Sequence, residues 1–181
     1  MIIIFGPAGS GKSIQGQMLA ARNGWRWLSA GQLLRDTRDP ELLAEMQTGQ
    51  LVPHGKVNKI MSEALARATN VDQVILDGFP RALEQAKWLI ENEAAHGDSI
   101  KLGLVLDVPK SELMRRLEVR GRVDDTSDAI DERLDIYHHE SQPILDYFEK
   151  NGIKITHIDG TGSVGQVHDR IMEELVKCKL A

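Results

Sequence analysis

Residues 6 to 13 read Gly-Pro-Ala-Gly-Ser-Gly-Lys-Ser, the spacing GxxxxGKS, directly after the apolar run Met1 to Phe5. That pattern is suited to holding phosphate. Gly6, Gly9 and Gly11 let the main chain turn through conformations closed to other residues, and they bring successive amide N–H groups to phosphate oxygens. The loop leads into a segment with helical spacing (Ile14, Met18, Ala21), whose positive N-terminus favours the same anion. Lys12 reaches the β- and γ-phosphates of a bound nucleotide, and the Ser13 hydroxyl sits where such loops help to hold a nucleotide-bound Mg²⁺. The bland alternative is a Gly-rich strand-to-helix turn with an incidental Lys-Ser.

Further candidates follow other apolar runs. Asp77 ends Val-Ile-Leu-Asp, where a carboxylate beside the loop is placed to orient Mg²⁺ or its waters, or else caps the next turn. Arg81 follows a Gly-Phe-Pro turn with Gln85 one helical turn further on. A guanidinium there can hold a phosphate bidentately while the amide reads a base edge; the alternative is an exposed pair at a helix start. Leu28 to Arg35 again sets a small-residue turn, Ser29-Ala30-Gly31, ahead of an arginine. Arg116 and Arg120 share one helical face, Arg122 follows a glycine, and Arg133 lies on the next helix beside Ile130, Leu134 and Tyr137. Arginines clustered in this way point to a polyphosphate site, against a solvated stretch partnered by Asp124, Asp125 and Asp128.

The elements that must position these groups are legible in the pattern. Strands are expected at 2–5, 25–29, 73–77, 102–107 and 154–158, three of them nearly continuous apolar runs as in strands buried on both faces. Helices are expected at about 12–22, 30–37, 41–48, 55–69, 82–95, 110–120, 127–150 and 164–178, with a break or kink near Ser141 and Gln142 imposed by Pro143. The alternation gives a three-layer α/β fold, and the segments after Phe5, Leu28, Asp77 and Leu106 should share one cleft at the carboxyl ends of the strands.

Composition bounds the rest. The 181 residues suffice for one well-buried domain, and 41% apolar with 27% charged residues is ordinary for a globular chain. A net charge of −5 argues against a nucleic-acid or anionic-membrane surface and requires any phosphate site to gather its positive charge locally. The single cysteine, Cys178, excludes an internal disulfide and reads as a spectator thiol in a reducing compartment. The five-residue N-terminal apolar run is too short for a signal peptide or a membrane span, so a cytoplasmic protein is expected. Trp25, Trp27 and Trp88 read as core or rim packing, and a monomer is the default.

In order along the chain, Gly-Pro-Ala-Gly-Ser-Gly-Lys, Leu-Ser-Ala-Gly-Gln-Leu-Leu-Arg, Asp-Gly-Phe-Pro-Arg with Gln85 four residues on, and Arg-Gly-Arg-Val-Asp-Asp form a series. Over residues 1 to 165 it resembles the adenylate kinase family of nucleoside monophosphate kinases. The resemblance implies a P-loop NTPase fold with a central five-stranded parallel sheet. It implies a single domain over 1–181, with a core at 1–28, 59–119 and 127–181, a mobile acceptor subdomain at 29–58 and a short lid at 120–126. It assigns Gly6, Gly9, Ser10, Gly11, Lys12, Ser13, Ile14, Arg116, Arg120 and Gly160 to ATP, the last from the adenine-side loop Asp159-Gly160-Thr161-Gly162. Ala30, Gly31, Arg35, Leu51, Val52, Gly78, Arg81, Gln85, Arg122 and Arg133 fall to AMP. The catalytic set is Lys12, Arg81, Arg116, Arg120, Arg122 and Arg133, with Mg²⁺ near Ser13 and Asp77 through nucleotide and water. The implied activity is phosphoryl transfer from Mg·ATP to AMP giving two ADP.

Three features depart from the family pattern. Adenylate kinases usually read Gly-Lys-Gly-Thr-Gln where this chain has Gly-Lys-Ser-Ile-Gln, so the threonine hydroxyl is missing at Ile14. Ala30 resembles the UMP/CMP kinases, whereas Gln85 resembles AMP-specific members and carries more weight because its amide matches the paired donor and acceptor of adenine. The lid lacks the long insertion and any Cys or His set for zinc; His138 and His139 are adjacent on a helix and point to different faces. The alternatives are a UMP/CMP kinase on the same scaffold and a nucleotide-binding regulatory protein of low turnover. Small-metabolite P-loop kinases do not explain Gly-Phe-Pro-Arg with Gln85.

Overall fold

The computed structural model describes residues 1–48, 51–92, 99–121 and 127–180. In chain order the elements are β1 (Ile2–Phe5), α1 (Lys12–Asn23), β2 (Arg26–Ser29), α2 (Ala30–Asp36), α3 (Pro40–Gln47), α4 (His54–Ala66), β3 (Val74–Asp77) and α5 (Leu83–Glu91). They continue with β4 (Leu102–Asp107), α6 (Lys110–Arg120), α7 (Ser127–Lys150), β5 (Lys154–Asp159) and α8 (Val164–Lys177). The five strands form one parallel sheet in the order β2-β3-β1-β4-β5. The expected strands and helices are all present, most with ends shifted by one to three residues; the expected end of α5 falls on residues outside those described.

Burial explains the strand order. β1, β3 and most of β4 are buried along their length, as apolar strands covered on both faces must be. The edge strands carry the polar residues: Arg26 on β2, and Lys154, His157 and Asp159 on β5, are exposed. Alternation along β1 divides the core. Ile3 and Phe5 pack with Leu76, Leu89, Ile144 and Phe148 on one face, whereas Ile2 and Ile4 pack with Leu19, Ile75, Leu104 and Ile171 on the other. A smaller cluster of Leu113, Leu117, Ile130 and Leu134 joins α6 to α7. The tryptophans are partly buried against these cores, Trp88 on the first and Trp25 and Trp27 on the second.

The break expected at Pro143 does not occur, because α7 runs uninterrupted from Ser127 to Lys150. Pro143 removes one amide, the one that would bond the His139 carbonyl, but both residues are exposed and water can take that carbonyl. Both halves are anchored by burial, Ile130 and Leu134 before the proline and Ile144, Leu145 and Phe148 after it.

Gly16 on α1 is a notch for Trp27 of β2. A Cβ there would lie 2.5 Å from the indole Cδ1 and 2.7 Å from Nε1. Glycine to alanine in an open helix gains about 1 kcal/mol, whereas forcing a methyl into a filled contact costs ~1–3 kcal/mol. We therefore expect Gly16→Ala to lower stability by about 1 kcal/mol net in urea unfolding; a stabilised variant would show that the notch is not required.

Candidate active site

The loop between β1 and α1 owes its path to three glycines at positive φ: Gly6 (142°), Gly9 (84°) and Gly11 (97°). A Cβ on Gly6 would lie 2.6 Å from Ser10 Oγ, and one on Gly9 would lie 3.0 Å from Leu117 Cγ, so the loop is wrapped closely on itself and on α6. Gly11 caps α1 without a side chain, which leaves the first-turn amides open to an anion. Lys12 folds back over the loop, with Nζ donating to the carbonyls of Gly6 (2.5 Å) and Pro7 (2.7 Å). Burial pushes its pKa down to about 8; Asp77 opposes that shift, and nearby Arg81 and Arg120 add to it.

Parallel pairing sets Asp77, at the end of β3, beside Ile4 of β1 and Ser29 of β2. Asp77 is buried, and its Oδ2 accepts from Ser13 Oγ at 2.6 Å. Two oxygen donors thus meet at the mouth of the loop, the ligand type that a hard divalent cation takes directly or through water. The expected alternative, Asp77 as a turn cap, does not describe this contact. Ile14 is half-exposed at the cleft.

Two arginines follow glycines on the next part of the cleft. In α2, capped by Ser29, the Arg35 guanidinium lies 3.6 Å from where a Gly31 Cβ would be. Gly78, at φ 71°, leaves a 3.0 Å approach for Arg81 Nη2, while Arg81 Nε donates to the Gly78 carbonyl at 3.0 Å. Gln85 is buried, and its Oε1 accepts from the Arg81 backbone N–H at 2.8 Å. The amide assigned to base reading from the sequence also anchors the turn that presents Arg81.

The remaining arginines come from α6 and α7. Arg116 donates from Nε to Glu112 Oε1 (2.7 Å), from Nη1 to the Ser10 carbonyl (3.4 Å) and from Nη2 to the Gly160 carbonyl (2.9 Å). Arg133 donates from Nη2 to the Met46 carbonyl at 3.0 Å, tying α7 to the end of α3. Arg122 and most of the expected lid lie outside the described residues.

One cavity of about 790 Å³ collects these groups. It is lined by Gly6, Gly9, Ser10, Gly11, Lys12, Ser13 and Ile14, by Ala30, Gly31, Arg35, Leu51 and Val52, by Asp77, Gly78, Arg81 and Gln85, and by Arg116, Arg120 and Arg133. Gly160 is buried behind this wall, where a Cβ would lie 2.6 Å from Val108 Cγ2, and Gly162 and Ser163 face the cavity in its place. Seven cationic side chains line the cleft against the carboxylates of Asp77, Glu112 and Glu140, in a chain of net charge −5. The excess positive charge is local, as an anion site requires.

The sequence reading missed three supports. Glu112 and Arg115 also line the cleft, and the i, i+4 spacing of Glu112 and Arg116 was the available signal. Arg170 Nη1 donates to the carbonyls of Asp159 and Thr161, both at 2.7 Å, a contact that no local spacing announces. Gln15 bridges α1 to the start of α8 by donating to the Val164 carbonyl at 2.9 Å, and it lies 3.1 Å from His168 Nδ1. Burial lowers the pKa of that histidine.

Comparison with known proteins identifies the family. The family described as adenylate kinase matches residues 4–153. A Mycobacterium leprae protein named adenylate kinase is 35% identical over 97% of this chain and 99% of its own length. Proteins of the same name from Porphyromonas gingivalis, at 34% over 94% of this chain and 92% of theirs, and Thermus thermophilus, at 36% over 96% of each, are similarly related. With a family match over residues 4–153 and relatives about 35% identical over nearly the whole chain, the chain belongs to the adenylate kinase family.

Proposed function

We propose that this protein catalyses reversible transfer of the γ-phosphoryl group from Mg·ATP to AMP, giving two ADP. The observation that carries the reading is one cavity holding both a phosphate loop and a facing wall of Arg35, Arg81 and Gln85. A hydrolase needs only the first, whereas phosphoryl transfer between nucleotides needs both. Family membership and the names of the relatives support the same activity.

The acceptor phosphate is already an anion, so no general base or covalent intermediate is required. The amides of the 6–13 loop and Lys12 hold the donor phosphates, and Arg35 and Arg81 hold the acceptor phosphate in line. Lys12, Arg81, Arg120 and Arg133 stabilise charge spread over the equatorial oxygens, a task suited to the planar guanidinium fork. Ser13 and Asp77 are the residues that would hold the Mg²⁺ of Mg·ATP, directly or through water, and the ion would supply charge neutralisation at the donor phosphates. The segment 29–58 acts as the acceptor-binding unit, and its closing over the cleft excludes water that would otherwise hydrolyse ATP. At the base, Gln85 retains an amide N–H₂ and a second lone pair for adenine after bonding the Arg81 amide.

Diphosphate formation with Mg·ATP against AMP, UMP, CMP and GMP should be fastest with AMP. Preference for UMP or CMP would mean that the missing hydroxyl at Ala30 outweighs Gln85, and no turnover with any acceptor would defeat the enzymatic reading. Arg81→Ala should cost at least ~100-fold in turnover, with circular dichroism and melting preserved, by analogy with lost oxyanion donors; a loss under about threefold would remove Arg81 from the reaction.

The lowered pKa of Lys12 sets a pH dependence. The ammonium is the working form, and in the free protein it is lost as pH rises through about 8, so kcat/KM for ATP should fall above that pH. Lys12→Arg, slower overall, should lack that limb because its guanidinium stays charged. Unfolding would not explain the fall. A base with depressed folded pKa binds fewer protons folded than unfolded, so this group's contribution to stability improves between about 8 and 10.5. A flat profile from pH 7 to 9.5 would contradict the assignment.

A further inference from the structure

Glu112 belongs to none of the motifs that mark the family, yet it lines the cleft and makes three charged contacts there. Its Oε1 accepts from Arg116 Nε at 2.7 Å and from Arg115 Nη2 at 2.8 Å, and its Oε2 accepts from Arg115 Nε at 2.8 Å. These bonds hold its pKa down to about 2, so it is an anion at any working pH. Arg115 grips it with two parallel bonds and offsets its charge; what Arg116 gains is a fixed direction.

Arg116 is held on all three nitrogens, by Glu112 of α6, by the Ser10 carbonyl of the phosphate loop and by the Gly160 carbonyl of the loop after β5. Three bonds to three separate segments determine the plane of a guanidinium completely, and they use three of its five N–H groups. What it offers a nucleotide is chiefly its flat face, in a cleft that Gly162, Ser163 and Val164 also line. An arginine face stacks on an aromatic base, and a base-binding plane is useful in proportion to its rigidity before the ligand arrives.

We propose that Glu112 is a positioning residue for the donor nucleotide, holding Arg116 Nε so that the guanidinium plane stands ready to stack on the base of ATP. The inference rests on the reading of Arg116 as a donor-site residue. A surface ion pair of this spacing contributes little to stability by itself, and a role confined to stabilising α6 would affect every ligand alike.

The test is calorimetric binding to the full chain of Mg·ATP and of inorganic tripolyphosphate, which has the phosphates and no base. Glu112→Ala should weaken ATP about tenfold and tripolyphosphate by less than about twofold. Glu112→Gln, whose amide oxygen still accepts from Arg116 Nε, should stay within about threefold of the parent protein for ATP. Equal losses for the two ligands, or tighter ATP binding in Glu112→Ala, would overturn the proposal. Arg116→Ala separates the two levels. If it leaves ATP affinity unchanged, the donor-site reading fails and the proposal with it; if it weakens ATP while Glu112→Ala does not, only the role of Glu112 fails.

Discussion

Like charges repel, and this chain gathers seven cations around one cleft, where they must stay together in the free protein without a phosphate to hold them. The solution visible in several of them is the same. Lys12 donates to the carbonyls of Gly6 and Pro7, Arg81 to Gly78, and Arg133 to Met46. A main-chain carbonyl satisfies an N–H donor with a partial charge only, so an arriving phosphate oxygen can displace it at small cost. The downward pull on the Lys12 pKa is the residue of repulsion and burial that this arrangement leaves in place.

Everything else in the fold can be understood as the support of that cluster. β1 lies in the middle of the sheet, flanked by β3 and β4, and the parallel direction sends the ends of β1, β2, β3 and β4 to one edge. Phe5, Ser29 and Asp77 therefore end close together although they are far apart in sequence. Apolar residues on both faces of β1 fix its register, because a slip of one residue would exchange the two core faces. The precision of the Ser13 to Asp77 contact thus depends on packing at Ile2, Ile3, Ile4 and Phe5, none of which touches that contact.

Much of this was legible in the sequence, for reasons that are local. The phosphate loop is contiguous, the buried strands are apolar runs, and the turn before Arg81 is marked by Gly78, whose positive φ and open side the guanidinium uses. The break expected at Pro143 is absent because a proline's local effect does not include the buried side chains on both sides of it that hold α7 continuous. Arg170 and Gln15 were invisible because their partners are main-chain carbonyls across a tertiary contact, and a carbonyl carries no residue identity. Gly160 is assigned to ATP by resemblance through the backbone of its loop; in the structure it is buried against Val108, and Gly162 of the same loop lines the cavity.

The exchange of the usual Gly-Thr for Ser13-Ile14 is a relocation of a hydroxyl, and the helix decides what that does. Successive residues on a helix point about 100° apart, so Ser13 cannot serve the position that a threonine at 14 would serve. The Ser13 hydroxyl is directed to Asp77 at 2.6 Å, while Ile14 presents a half-exposed hydrocarbon to the cleft. On the proposed reaction, the two positions would act at different stages: a phosphate contact would serve every nucleotide, whereas a Ser13 to Asp77 pair that held Mg²⁺ would favour the magnesium complex over the free nucleotide. The departure therefore bears first on the dependence of donor binding on Mg²⁺ and only second on the rate of transfer.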